Sequence, residues 1–143
     1  MLINETLNDF RFRSFFMSGE LVCEFLVFFL NLSSSGWVSL AISEGVSSFV
    51  PLSSGPELLG LSEISDDFAY PIKTLSSLKD FLGLKVLAVY EYRLSGVDDG
   101  CVGVYLEFDG GGLSVLESDD CLSVVEGVVD YSNSCVSLCE III

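Results

Sequence analysis

Hydrophobic positions along the chain fall into short runs broken by turn residues. The clearest stretch is Lys85 to Glu126, KVLAVYEYRLSGVDDGCVGVYLEFDGGGLSVLESDDCLSVVE. Four apolar runs alternate there with three breaks, SGVDDG, DGGG and ESDD, which is the pattern of a β-meander. Upstream, FRFRSFF (Phe10–Phe16) alternates aromatic with basic residues, MSGE offers a turn, and LVCEFLVFFLNL follows with apolar residues on both faces. This predicts a hairpin whose second strand is buried centrally, with a helix over Glu20–Leu30 as the competing assignment. The Phe and Val enrichment favours the strand.

After SSSG the run GWVSLAIS (Gly36–Ser43) puts Val38, Leu40 and Ile42 on one face and Trp37, Ser39 and Ala41 on the other. Glu44-Gly45 turns the chain, and VSSFVPL adds a strand ending at Pro51, where a ladder donor is missing. Ser53 to Pro71 reads as a long connection with at most one helical turn, at Glu57–Leu59. TLSSLKDFLG is the helix candidate: Leu75, Leu78 and Leu82 fall at helical spacing, Ser76 or Ser77 can cap the start, and Gly83 can close the end. CVSLCEIII reads as a last strand, with terminal isoleucines that belong out of water. The expected fold is mainly β with a small α+β component. It is a single domain over residues 1–143, an antiparallel, strongly bent sheet or half-barrel built on the meander, with one or two short helices against it.

Composition agrees with a folded chain: half of the 143 residues are hydrophobic and only 19% are charged, which excludes a disordered acidic tail. Charge changes the picture more. Six Lys and Arg stand against 21 Asp and Glu, a formal net charge of −15. Such a field repels nucleic acid and anionic lipid and draws cationic surfaces. No secretory signal or membrane span is legible, since the apolar run Leu21–Leu32 is interrupted by Glu24 and is too short. The five cysteines, odd in number and without tight spacing, read as reduced thiols, and the expected compartment is the cytoplasm. Cys135 and Cys139 would share a strand face about 13 Å apart, too far for a disulfide.

The chain has no histidine, which removes the commonest general base and the Ser-His and Cys-His nucleophile pairs. The adjacent pairs Asp66-Asp67, Asp98-Asp99 and Asp119-Asp120 read as solvated turn residues rather than acid-base dyads. Asp98-Asp99-Gly100 and Asp109-Gly110-Gly111-Gly112 read as hairpin turns, because strands and not helices flank them as a calcium hand would need. The reading is a non-enzymatic protein with no cofactor and no metal. What remains is the acidic surface. From Leu94 onward there are ten acids and no base: Asp98, Asp99, Glu107, Asp109, Glu117, Asp119, Asp120, Glu126, Asp130 and Glu140. Solubility needs a net charge of only about 2–8 for a small domain. Asp98, Asp99, Glu107, Asp109, Glu117, Asp119, Asp120 and Glu126 are therefore the candidate partner-binding residues. Trp37, Tyr90, Tyr92 or Tyr105, if one sits beside the acidic rim, would supply the anchor that a tight interface needs.

GWVSLAISEG, DDFAYPIKTL, GLKVLAVYEYR and VGVYLEFDGGGLSVLESDDCLSVVEG together resemble small bacterial immunity proteins of contact-dependent growth-inhibition and other polymorphic toxin systems. The likeness covers residues 36–127 and lies in the style and order of motifs. It implies a protein that is not an enzyme and that binds a cognate toxin domain in the cytoplasm. Many such toxins are nucleases with basic clefts, which matches the charge. The expectation is thus a toxin-neutralising protein, monomeric in isolation, with no direct nucleic-acid or membrane partner. Two readings stand beside it: an adaptor or subunit docking by its apolar edges, and a small-ligand carrier using the concave side of the sheet.

Overall fold

The computed structural model describes residues 2–96, 100–131 and 135–143. Strands β1 (Leu7–Met17) and β2 (Glu20–Leu32) form the expected hairpin. Its turn, Ser18-Gly19, has both residues at left-handed φ (49° and 82°), the two-residue geometry whose twist matches the flanking strands. Along β1, Phe10 and Phe12 point into the core. Arg11 and Arg13 point out, over the rings of Trp37 and Phe29 at 4.7 and 5.3 Å.

β2 is the member on which the architecture turns. Arg13 pairs with Val27 and Phe15 with Cys23, so two steps along β1 answer four along β2. The extra residues bend the strand and reverse its facing. That reversal lets Phe25 and Phe28, an odd number apart, both meet the core, 5.2 Å between ring centroids. At the same bend the far edge of β2 changes neighbour. Phe25 pairs with Leu122 of β10 (Cys121–Glu126), whereas Phe28–Leu32 pair with β3 (Gly36–Ser43). β3 continues into β4 (Val46–Pro51), which ends at Pro51 as expected.

The meander Lys85–Glu126 is β7 (Val86–Leu94), β8 (Cys101–Phe108), β9 (Gly111–Ser118) and β10, each pairing with the next. β11 (Val136–Ile141) completes the sheet against β7. The order β11-β7-β8-β9-β10-β2-β1 curls into a half-barrel. Its two flanks are stitched where the chain before β1 reaches β7: Asn4 donates to the Val86 carbonyl at 2.7 Å, and Leu7 donates to that of Leu84 at 3.0 Å. The concave side is filled. Phe28, Leu30, Val38, Leu40, Val104, Leu106, Leu113 and Val115 belong to one core cluster and are almost fully buried.

Four expectations need correction. Residues 76–81 form a kinked 3-10 segment, not an α-helix; no serine side chain caps it, and Leu78 leaves helical geometry (φ −104°, ψ 18°). The cause is tertiary. β6 (Ile72–Thr74) pairs with β1, and Leu75 still donates to the Phe10 carbonyl. Gly83 donates to Leu7, so only a short span is left to cross between two anchored ends. In the long connection the helical turn lies at Leu61–Glu63, because Leu59 instead bridges Ile72; the connection also carries the two-residue strand β5 (Phe68–Ala69). Ile142 is fully exposed, while Ile141 and Ile143 pack partly on the core. Finally, Cys23 and Cys121 are joined by a disulfide with Cα atoms 5.8 Å apart, where β2 meets β10. Their separation of 98 residues hid the pairing.

Ahead of β1, the buried Glu5 holds the turn between β2 and β3. Its Oε1 accepts the amides of Ser34 and Ser35 at 2.8 and 2.6 Å, and its Oε2 accepts the Ser35 hydroxyl. Burial alone raises its pKa, but these hydrogen bonds outweigh it and hold the carboxyl below 4.5. A depressed pKa means that the folded state binds the proton less readily than the unfolded one. The contribution is therefore complete above the unfolded value and is lost as pH falls through the folded value. Thermal melts from pH 7 downwards should show Tm falling below about pH 4.5. Glu5→Gln keeps an oxygen for both amides but cannot titrate, so its fall should be shallower than the parent's.

Candidate partner-binding surface

Pairing register decides which side chains share a face. Across the meander, Val104, Val115 and Val124 are paired in one row, and Leu106, Leu113 and Glu126 in the next; both rows look into the concavity. The alternate residues form the convex face. One convex row runs Glu140, Tyr90, Tyr105, Ser114, Val125 across β11, β7, β8, β9 and β10. The neighbouring row contains Ala88, Glu107 and Gly112, and the row on the other side contains Leu138, Tyr92, Gly103 and Leu116.

Two glycines shape this face. A Cβ at Gly103 would lie 2.8 Å from Leu116 and 3.0 Å from the Tyr92 ring. A Cβ at Gly112 would fall on the Tyr105 hydroxyl. Bare backbone at both sites lets the tyrosines lie down on the sheet. Tyr92 is thereby buried, and its hydroxyl anchors the strap after β10. Val129 N–H donates to it at 3.0 Å; Ser114 spends its hydroxyl proton on the Gly127 carbonyl at 2.7 Å, so the Tyr92 hydroxyl donates to Ser114 Oγ at 2.7 Å. Tyr131 packs on the Tyr92 ring, 5.5 Å between centroids.

Tyr90 and Tyr105 remain half-buried with centroids 5.9 Å apart. Desolvation raises the pKa of both, and the Glu107 charge adds to it, joined by Glu140 in the case of Tyr90. The hydroxyls stay protonated at neutral pH, and the carboxylates lie close enough to act on them. Partly exposed apolar side chains, Leu138, Val125 and Val128, extend the patch.

The six candidate acids among the described residues do not form one cluster. Asp98 and Asp99 lie outside the described residues. Glu107 stands on the convex face beside Tyr105. Asp109 sits in the β8–β9 turn and accepts the Lys85 amide at 3.0 Å, a structural use. Asp119 and Asp120 are the two left-handed residues (φ 54° and 61°) of the β9–β10 turn, and Glu117 accepts the Asp120 amide at 3.0 Å. Asp120 and Glu44 share a cleft of about 340 Å³ at the fork where β2 leaves β10, floored by Leu26, Val27, Ala41 and Ile42. Glu126 lines a different cleft of about 340 Å³, with Phe25, Leu75, Ser77, Leu78 and Val124. The candidate set does not include Glu44 and Glu140, which stand beside Asp120 and Tyr90 respectively. Glu140 stands beside Tyr90 only through the β11-β7 register, which no local pattern marks, and nothing local marks Glu44 either.

Of the four candidate aromatics, the rim condition is met by Tyr90 and Tyr105. Trp37 is instead clamped between Arg11 and Gly55, while Arg11 donates to the Pro56 carbonyl and pairs with Asp9 at 3.3 Å. The remaining polar knot lies between the β3–β4 hairpin and β7. Glu91 accepts from Ser47 and Arg93, and burial pushes the nearby Cys101 thiol up to about 11. A thiol held protonated in this way is no nucleophile at neutral pH.

Comparison with protein-family models, with curated proteins and with solved structures finds no match for this chain.

Proposed function

We propose that this is a non-enzymatic immunity protein that binds and neutralises a cognate toxin domain, a nuclease with a basic cleft, in the cytoplasm. The observation that carries the reading is charge segregation. The six basic residues are Arg11, Arg13, Lys73, Lys79, Lys85 and Arg93, on β1, on β6, in the 3-10 segment and near the ends of β7. β8 to β11 hold carboxylates alone. Four strands of one charge sign, with partly exposed tyrosines beside their carboxylates, support capture of a basic surface followed by docking on an apolar anchor.

The test is association with the toxin domain encoded beside the gene. Its rate constant should fall by about tenfold or more between low and high salt, as electrostatic steering requires. Glu117→Lys with Asp119→Lys and Asp120→Lys should abolish protection on co-expression while the protein stays folded. Salt-insensitive association together with intact protection in the reversed variant would sink the electrostatic reading.

A further inference from the structure

Resting on that reading, the geometry points to a specific contact: the convex face of β11, β7 and β8 is a seat for an arginine side chain of the partner. Its guanidinium would lie over the Tyr90–Tyr105 pair and hydrogen-bond to Glu107 and Glu140. Three observations carry this. The four side chains are neighbours by register, Glu140 opposite Tyr90, Tyr90 opposite Tyr105, and Glu107 two residues beyond Tyr105 on the same face. Both tyrosines are partly exposed, with ring centroids 5.9 Å apart, a π surface that reaches solvent between two carboxylates. Arg93, the basic residue within β7, is drawn to Glu91, whose register partner Val104 belongs to the core on the opposite face.

A planar, weakly hydrated guanidinium fits such a seat better than an ammonium. It stacks on an aromatic ring while its edge N–H groups reach carboxylates on either side, whereas lysine offers a compact, strongly hydrated charge. The seat is also pre-formed, since Tyr105 is laid against Gly112 and cannot be if that position carries a Cβ. Little ordering is left to be done on binding.

The probes are hexa-arginine and hexa-lysine peptides, titrated by calorimetry and by chemical-shift mapping in about 0.15 M salt, where the Debye length is about 8 Å. Hexa-arginine should bind at least about threefold tighter than hexa-lysine, as the extra cation–π and bidentate contacts imply, with the largest shifts at Tyr90, Tyr105, Glu107 and Glu140. Tyr90→Leu should remove that preference and Tyr90→Phe should keep it. Gly112→Ala, which dislodges the Tyr105 ring, should also remove it, with a melting curve showing the variant folded. Equal affinity for the two peptides, or shifts confined to Glu117–Asp120, would overturn the seat. The second of these leaves the basic-partner reading standing, and the co-expression assay tests that reading separately.

Discussion

Opening the Cys23–Cys121 bond, by reduction or by Cys23→Ser with Cys121→Ser, is expected to lower the unfolding free energy by about 2–5 kcal/mol. The upper part of that range applies, because the bond closes a loop of 98 residues and loop-closure entropy grows with length. Its place in the sheet adds a second reason. β10 pairs with β9 through six residue pairs, but with β2 through one, Leu122 with Phe25. The seam joining the meander to the N-terminal hairpin is thus held by few hydrogen bonds and one covalent link. Denaturant unfolding with and without a reductant gives the loss directly. Amide exchange should accelerate first along β10 and the Glu20–Phe25 half of β2. A loss under 1 kcal/mol, with exchange at the seam unchanged, would show that packing alone holds the two halves. The result also bears on compartment. A bond of this kind persists where the surroundings are oxidising, so a protein working in a reducing cytoplasm must be stable enough with the bond open.

The fold was legible wherever the local pattern and the tertiary demand coincided. Val38, Leu40 and Ile42 alternate in sequence and line one core row in the sheet; Ser18-Gly19, Glu44-Gly45 and Asp119-Asp120 carry turn chemistry and adopt left-handed φ. Legibility ended where distant partners decide. TLSSLKDFLG has helical spacing, yet anchoring of Leu75 to Phe10 and Gly83 to Leu7 leaves room only for a 3-10 passage. Cys23 and Cys121 carry no sequence mark of a partner and meet only because β2 forks. At the candidate surface, charge pointed to the part of the chain after Leu94 but carried no information on how its acids are grouped. Adjacent acids such as Asp119-Asp120 drew attention because they stand together in sequence, whereas Glu107 and Glu140 come together only through the β11-β7-β8 register. Position along a strand carries less information about a surface than position across it.

Phe28→Ala is expected to cost about 3–5 kcal/mol, the range for emptying a fully buried aromatic position. Phe28 is fully buried. It pairs with Phe12 on one side and Leu40 on the other, and its ring lies 5.3 Å from Phe10 and 5.2 Å from Phe25. It is the first residue of β2 to pair with β3 after the bend, so the cavity would open between the hairpin and the β3–β4 extension. Neighbouring rings fixed by paired strands can close such a space only in part, which places the cost above that of transfer alone. Val22, in the same strand before the bend, is 55% exposed; Val22→Ala should change stability by no more than about 0.5 kcal/mol. Urea unfolding of the two variants beside the parent separates core packing from strand propensity, since both substitutions place alanine in β2. Near-equal losses would mean that the bend, and not the aromatic cluster around Phe28, sets the stability of the half-barrel.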